Sequence, residues 1–229
     1  MIKAVYFDFF NTLAYFDPPR EITYAEIARG LGVNATPRGV EAALPEADGY
    51  WRSENFKSPI RQREQDDKIA VYKEYGARIL AGTNATKDQA LQMLAKAFQK
   101  GFVFKPFEDS VKALQLVRKK KLKAGLISNV GQEIDSYCSE LGFEPYLDIK
   151  VTSFEVGFDK PRPEIFVLAL EKAGVTASEA LFIGDVYEQD IVGARGVGMQ
   201  AILIDRNHGS KKYDCPVINS LVRIEDFLM

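Results

Sequence analysis

Short unbroken apolar runs recur along the chain: Ala4-Val5-Tyr6-Phe7, Ala124-Gly125-Leu126-Ile127, Ala180-Leu181-Phe182-Ile183 and Ala201-Ile202-Leu203-Ile204. Continuous rather than alternating hydrophobicity is what parallel strands covered on both faces require. Asp148-Ile149-Lys150-Val151-Thr152 is a more polar fifth candidate, expected nearer a sheet edge. Helical stripes lie between these runs. Asp109 to Lys120 sets Val111, Leu114 and Val117 on one side, and its basic end suits a helix C-terminus. Pro163 to Lys172 opens with proline in the first turn and stops at Gly174, and Gln132 to Leu141 stops at Gly142. Strand and helix alternate from about residue 108, which predicts an α/β fold, a Rossmann-like doubly wound parallel sheet.

Residues 17–100 follow a different period. Ile22 to Leu31, Arg61 to Leu80 and Lys87 to Phe98 carry helical stripes with no buried strand between them. Pro18-Pro19, Pro37, Pro45, Pro59 and Gly82 read as breakers. An all-helical domain over 17–100 is thus expected as an insertion into a core made of 1–16 and 101–229. The crossings fall at Pro18-Pro19 and between Gly101 and Pro106. Tyr24, Tyr50, Trp51, Phe56, Tyr72 and Tyr75 are expected to fill the insertion's own core.

With 229 residues, the chain is long enough for one core and a smaller satellite. A net charge of −2 provides no field to draw it onto nucleic acid or an anionic membrane. The run Arg118-Lys119-Lys120-Lys121-Leu122-Lys123 is isolated and has no aromatic residues interleaved, so a solvated helix end is expected there. The start, MIKAVYFDFF, lacks the basic lead and cleavage site of a signal peptide, and a cytoplasmic location is expected. Cys138 and Cys215 have no zinc-site spacing. A single histidine, His208, makes a histidine-based metal site hard to assemble; it falls in a loop, Asn207-His208-Gly209-Ser210, expected near the site's rim.

The chemistry sits where the buried runs stop. The first ends at Asp8, the second at Ser128-Asn129 and another at Gly184-Asp185, with Asp190 five residues on. Parallel strands bring their C-terminal ends to one edge, where ligands bind. Asp8, Ser128 and Asp185 are therefore expected to converge. Clustered carboxylates repel one another unless a hard cation such as Mg²⁺ lies among them. Lys160, before Pro161, can supply a compensating charge.

In order and placement, these segments resemble the four motifs of the haloacid dehalogenase superfamily. Asp8-Phe9-Phe10-Asn11-Thr12 is similar to the first, Ile127-Ser128-Asn129 to the second, Lys160-Pro161 to the third, and Gly184-Asp185 through Asp190 to the fourth. The resemblance implies a C1-type helical cap over 17–100 and a Mg²⁺-dependent phosphatase-type reaction on a small phosphorylated metabolite. Asp8 is then the nucleophile that forms an aspartyl-phosphate. The metal is then held by Asp8, the main-chain carbonyl of Phe10, Asp185 and waters, with Asp190 ligating it or orienting a water. Ser128 and Lys160 are catalytic and grip the phosphoryl oxygens, and Thr12 and Asn129 complete the substrate-binding set, Thr12 by packing the loop and Asn129 by orienting the second motif.

One position departs from the pattern. Phosphatases of this superfamily carry an aspartate two residues after the nucleophile as general acid–base, where this chain has Phe10. Such a group is typically worth ~10²–10⁴ in rate. Three readings follow: good leaving groups or an acid from elsewhere, such as Tyr15 or Asp17; a 2-haloacid dehalogenase-like enzyme; or a catalytically weak phosphate-binding relative. Dehalogenases of the superfamily have an uncharged Ser-Asn type pair in place of Gly184-Asp185, and an arginine soon after the first motif. Arg20 is available but lies beyond Pro18-Pro19. Retention of Asp185 and Asp190 favours metal-dependent phosphate chemistry.

Overall fold

The computed structural model describes residues 1–206, 209 and 212–228. His208, Asn207 and Ser210, expected in a rim loop, lie outside the described residues. The chain divides into two compact units, Met1–Tyr15 with Phe104–Met229, and Phe16–Val103.

The first unit begins with β1 (Ala4–Phe7) and β2 (Ala14–Phe16). In the second unit the chain forms α1 (Arg20–Gly30), α2 (Pro37–Lys57), α3 (Gln65–Ile79) and α4 (Lys87–Lys100). It returns through β3 (Phe104–Pro106), which pairs with β2 in a two-stranded ribbon at the crossing. There follow α5 (Ser110–Lys119), β4 (Lys123–Ser128), α6 (Ile134–Glu140), β5 (Ile149–Thr152), α7 (Ser153–Val156) and α8 (Pro163–Ala173). The last elements are β6 (Ala180–Gly184), α9 (Val192–Gly196), β7 (Gln200–Ile204) and β8 (Val217–Ile218).

Among the described residues the main sheet runs β5-β4-β1-β6-β7-β8, and its pairings are parallel. Alternate residues of each strand enter two different cores. Val5, Phe7, Leu126, Leu181, Ile183 and Ile202 pack on one face, and Ala4, Tyr6, Ile127, Phe182, Ala201 and Leu203 on the other. Both faces are dry, so the strands read as continuous apolar runs. The polar strand β5 does lie at an edge. A Cβ on Gly125 would lie 2.4 Å from the Tyr6 ring. Its absence lets that ring lie across β4, where the Tyr6 hydroxyl donates to the Ala169 carbonyl of α8 at 2.7 Å.

β1 is the centre of the winding. The chain moves outward through β4 and β5, then returns to β6 on the other side of β1. The loops after β1 and β6 therefore diverge at a topological switch point, the place where open α/β sheets bind ligands.

The helical unit has its own core, built on Tyr24, Ala28, Val40, Leu44, Tyr75, Ile79, Met93 and Leu94. Gly76 lets α3 approach α4, because a Cβ there would stand 2.8 Å from the Ala90 carbonyl oxygen. Two expectations for this unit need correction. Pro37 and Pro45 do not break the chain: both lie in α2, Pro37 at its first turn and Pro45 inside. A first-turn proline costs no helical hydrogen bond, and Thr36 caps the same end by accepting from the Gly39 amide at 3.1 Å. Phe56 is not a core residue but is exposed on α2.

Candidate active site

Asp8, Phe10, Thr12, Ser128, Asn129, Lys160, Asp185 and Asp190 all belong to the α/β unit, whereas Asp17 and Arg20 fall in the helical one. The ladder between β1 and β6 continues one step past β1, where the Asp8 amide donates to the Ile183 carbonyl at 2.9 Å. Asp8 is thus fixed level with the end of β6. Ser128, the last residue of β4, donates from Oγ to Asp8 Oδ1 at 2.9 Å. Lys160 Nζ reaches the same Oδ1 at 2.7 Å and Asp190 Oδ1 at 2.6 Å. Among the described residues no donor reaches the other oxygen of Asp8. Asp8, Ser128, Lys160 and Asp190 are all buried, with Lys160 only 3% exposed.

Asp185 follows β6 directly, and one carboxylate oxygen from each of Asp8, Asp185 and Asp190 lies within 4.8 Å of the others. Asp190 comes back to this point through a π-helical turn, Tyr187–Ile191. Its Oδ2 accepts from the Val186 amide at 2.9 Å. Gly184 makes room for it, since a Cβ there would be 2.3 Å from Asp190 Cγ. Wide helical turns of this kind are often found at functional sites.

The electrostatics follow from three carboxylates and one ammonium in a dry place. Burial, then the charges of Asp8 and Asp190, raise the Asp185 pKa well above the usual carboxylate range; Lys160 and a hydrogen bond from Asn11 only partly oppose this. Asp190 is pushed up to about 6, chiefly by burial, against the pull of Lys160. For Lys160, burial works against the charge, but Asp190 and Asp8 outweigh it and the pKa is raised. With all four groups ionised the cluster carries two uncompensated negative charges. Its donors are hard oxygens, with no nitrogen or sulfur ligand, and that fits a hard divalent cation such as Mg²⁺.

Two residues expected at the substrate turn out to have other surroundings. Asn129 is occupied at both ends of its amide: Oδ1 accepts from the Lys160 amide at 2.7 Å and Nδ2 donates to the Lys160 carbonyl at 3.3 Å. It fixes the backbone of the residue carrying the ammonium. Thr12 is fully buried, and its Oγ1 has no hydrogen-bond partner among the described residues. A hydroxyl sealed inside the protein does not present itself to a substrate. Phe10 packs against the core around Phe7 and Phe9. The sequence reading missed Asn11, which adopts φ 56° in the loop after Asp8 and whose side-chain amide favours the ionised form of Asp185. An asparagine in a turn directly after a strand-end aspartate was the available signal, because Asn tolerates left-handed backbone.

A parallel sheet with an acid cluster at the switch point, one strand-end serine and one buried lysine defines the class. The sequence model of the haloacid dehalogenase-like hydrolases matches residues 2–198, and the chain belongs to that family. Its similarity extends over whole relatives. It is 29% identical over 242 residues to a glyceraldehyde 3-phosphate phosphatase of Methanothermobacter thermautotrophicus, covering 100% of both chains. It is 32% identical over 235 residues to the haloacid dehalogenase-like hydrolase domain-containing protein 3 of Bos taurus, covering 99% of this chain and 90% of that one. Among solved structures, a 2-haloacid dehalogenase of Pseudomonas syringae pv. Tomato superposes with a TM-score of 0.60 at 25% identity, covering 100% and 98% of the two chains. No helix among the described residues is long and apolar enough to cross a membrane.

Proposed function

We propose that this chain is a Mg²⁺-dependent phosphatase acting on a small phosphorylated metabolite through an aspartyl-phosphate on Asp8. The observation that carries the reading is the charge count: three carboxylates within 4.8 Å of one another and Lys160 among them. A divalent cation balances that cluster, and a phosphoryl group is the substrate such a site suits. The relative from Methanothermobacter thermautotrophicus, named a glyceraldehyde 3-phosphate phosphatase, supports phosphate as the group handled.

In this reading an oxygen of Asp8 attacks phosphorus as the bond to the leaving oxygen breaks. Water then attacks the same phosphorus, the Asp8–phosphorus linkage breaks, and phosphate leaves with the carboxylate restored. Ser128 and Lys160 hold Asp8 Oδ1 and so orient the carboxylate. When phosphate is bound, both turn donors toward its oxygens, supplying the fixed positive field that a loose transition state needs. Asp185 and Asp190, with Asp8 and the Phe10 carbonyl, would hold Mg²⁺, which neutralises charge on the transferring group. Asn129 keeps Lys160 in place. The helical unit is proposed as the cap domain that selects the substrate.

The dehalogenase reading shares the fold but has less support at its key positions. Gly184-Asp185 is acidic where dehalogenases of the superfamily carry an uncharged pair. Arg20 is held by Asp48 through both guanidinium nitrogens at 3.1 and 2.7 Å, while Tyr75 donates to the same carboxylate at 3.0 Å. That pairing leaves Arg20 a structural residue of the helical unit rather than an anchor for a haloacid carboxylate.

The test is a panel of phosphorylated metabolites and 2-haloacids, assayed with Mg²⁺ and with EDTA. Phosphate release that needs Mg²⁺ and is lost in Asp8→Asn is the expected result. Halide release undiminished by EDTA would replace this reading with dehalogenation, and binding of phosphate analogues without turnover would replace it with a phosphate-binding role.

A further inference from the structure

The π-helical turn that returns Asp190 to the strand end is tied to a distant stretch of the chain. Tyr187, its first residue, donates from its hydroxyl to Asp214 Oδ1 at 2.5 Å. The Tyr187 ring stacks on that of Tyr213, with centroids 5.1 Å apart and planes at 30°. Arg195, in α9 directly after the turn, donates from Nη1 to the same Oδ1 at 3.1 Å and from Nη2 to the Asp214 carbonyl at 3.0 Å. Tyr213 and Asp214 therefore hold the chain on both sides of Asp190. They are anchored in turn by the sheet, because the Leu203 amide donates to the Pro216 carbonyl at 3.0 Å and β8 then pairs with β7.

The clasp reaches the acid cluster through one residue, Val186. It immediately precedes Tyr187; its amide donates to Asp190 Oδ2 at 2.9 Å, and its carbonyl accepts from the Asp190 amide at 2.8 Å. The other carboxylate oxygen, Oδ1, meets Lys160 at 2.6 Å. Where Val186 stands decides where the Asp190 carboxylate stands, and Tyr187 is the next residue along the backbone. π-helical turns are rare beside the regular helix, so this one calls for support beyond its own hydrogen bonds. The stacked rings and the shared Asp214 carboxylate supply that support from outside the turn.

We propose that Tyr187 and Asp214 are positioning residues for Asp190, clasping the π-helical turn so that its carboxylate stays within reach of Asp8 and Asp185. The inference rests on the metal-dependent reading of the site given above. It separates from a merely structural role, in which the clasp ties the chain before β8 to α9 and affects stability alone.

The experiment measures Mg²⁺ affinity calorimetrically on metal-free protein well below its melting temperature, alongside thermal melts. The variants are Tyr187→Phe, which keeps the ring and loses the hydroxyl, Asp214→Ala, Asp214→Asn and the Tyr187→Phe/Asp214→Ala double. The Asp214 side chain is 70% exposed, so the expected effect is modest. The net worth of one hydrogen bond corresponds to a factor of about 2–10 in an equilibrium, and a loss of Mg²⁺ affinity of that size is expected for Tyr187→Phe and for Asp214→Ala. Because both break the same contact, the double variant should bind Mg²⁺ about as weakly as Asp214→Ala alone. Asp214→Asn keeps an acceptor oxygen and should retain most of the parent's affinity. Parent-like Mg²⁺ affinity in Tyr187→Phe and Asp214→Ala, with only the melting temperature lowered, would overturn the proposal and leave the phosphatase reading standing. So would losses that multiply in the double variant, since the two residues would then not act through one contact. An Asp214→Asn variant as weak as Asp214→Ala would also overturn it, because Asp214 would be acting as a distant charge. A parent that binds no Mg²⁺ would overturn both readings together.

Discussion

Lys160→Met is the most demanding test of the charge argument. The change keeps much of the side chain's apolar stem and removes the ammonium that touches Asp8 at 2.7 Å and Asp190 at 2.6 Å. Breaking a buried ion pair from one side typically costs about 3–5 kcal/mol, because the abandoned charge stays buried. For a chain of 150–250 residues each kcal/mol shifts the melting temperature by about 2–4 °C, so a drop of about 6–20 °C is expected in EDTA. Mg²⁺ should then restore more stability to the variant than it adds to the parent, since it enters a cluster one charge more negative. At a free concentration about 100 times the dissociation constant, binding alone contributes about 2.7 kcal/mol. The assay is differential scanning calorimetry in EDTA and across a Mg²⁺ titration. Calorimetry matters because the chain has one tryptophan, Trp51, and it lies in the helical unit. A variant that melts within about 2 °C of the parent in EDTA, or that gains no more from Mg²⁺ than the parent, would refute the idea that Lys160 and a cation share the neutralisation.

Three further outcomes are expected. Gly184→Ala drives a methyl into Asp190 Cγ, 2.3 Å away, so Asp190 must leave Lys160 and the Val186 amide; calorimetry should show weakened Mg²⁺ binding, and unchanged binding would count against Asp190 as part of the site. Burial opposes ionisation of Asp109, but Arg206, Ser220 and the Leu221 amide outweigh it and hold its pKa below the usual value. Asp109 therefore stabilises the fold above its unfolded pKa of about 4, and that contribution is lost as pH falls through the lower folded value. Asp109→Asn should lower the urea midpoint at pH 7 and flatten the acid limb, and a parent-like midpoint at pH 7 would reject this. Phe10→Asp should speed turnover of alkyl phosphates, whose leaving group needs a proton, toward the ~10²–10⁴ range of general acid catalysis. Phe10 packs against the core, so a thermal melt accompanies the assay; a parent that already cleaves alkyl and aryl phosphates equally would show that another residue supplies the acid.

The strands were legible because both sheet faces are dry, which leaves no polar residue inside runs such as Ala180-Leu181-Phe182-Ile183. The weaker elements lack that signature. β8 is Val217–Ile218 alone at the far edge, with Val217 exposed, and β2 and β3 pair with each other in a two-stranded ribbon. The longest helix, α2, was hidden by its prolines, since a proline-based rule cannot tell a first-turn proline from a break without knowing what the rest of the helix packs against. Here Val40, Leu44 and Ala47 are buried on one stripe and hold α2 despite Pro45.

The site divides along the same physical line. Asp8, Ser128 and Asp185 were legible because each stands where a buried run stops, and a parallel sheet brings those stops together. Asp190 needed the spacing as well as the strand end. Five residues past Asp185 would carry a side chain away along a regular helix, yet the π-turn and the missing Cβ of Gly184 fold it back onto the strand end. Arg206, which donates to the Asn11 and Thr12 carbonyls at 3.2 and 2.6 Å, had no such marker. Arg206 is separated by nearly the whole chain from the carbonyls it grips, and an arginine after an apolar strand is ordinarily a solvated charge. What gives it a partner set is the adjacency of the loop after β1, the start of α5 and the end of β7, and that adjacency exists only once the strands have been ordered. A short motif thus reports the groups that stand at the strand ends, whereas a group that holds the loop after Asp8 is supplied by tertiary structure from an element that carries no motif.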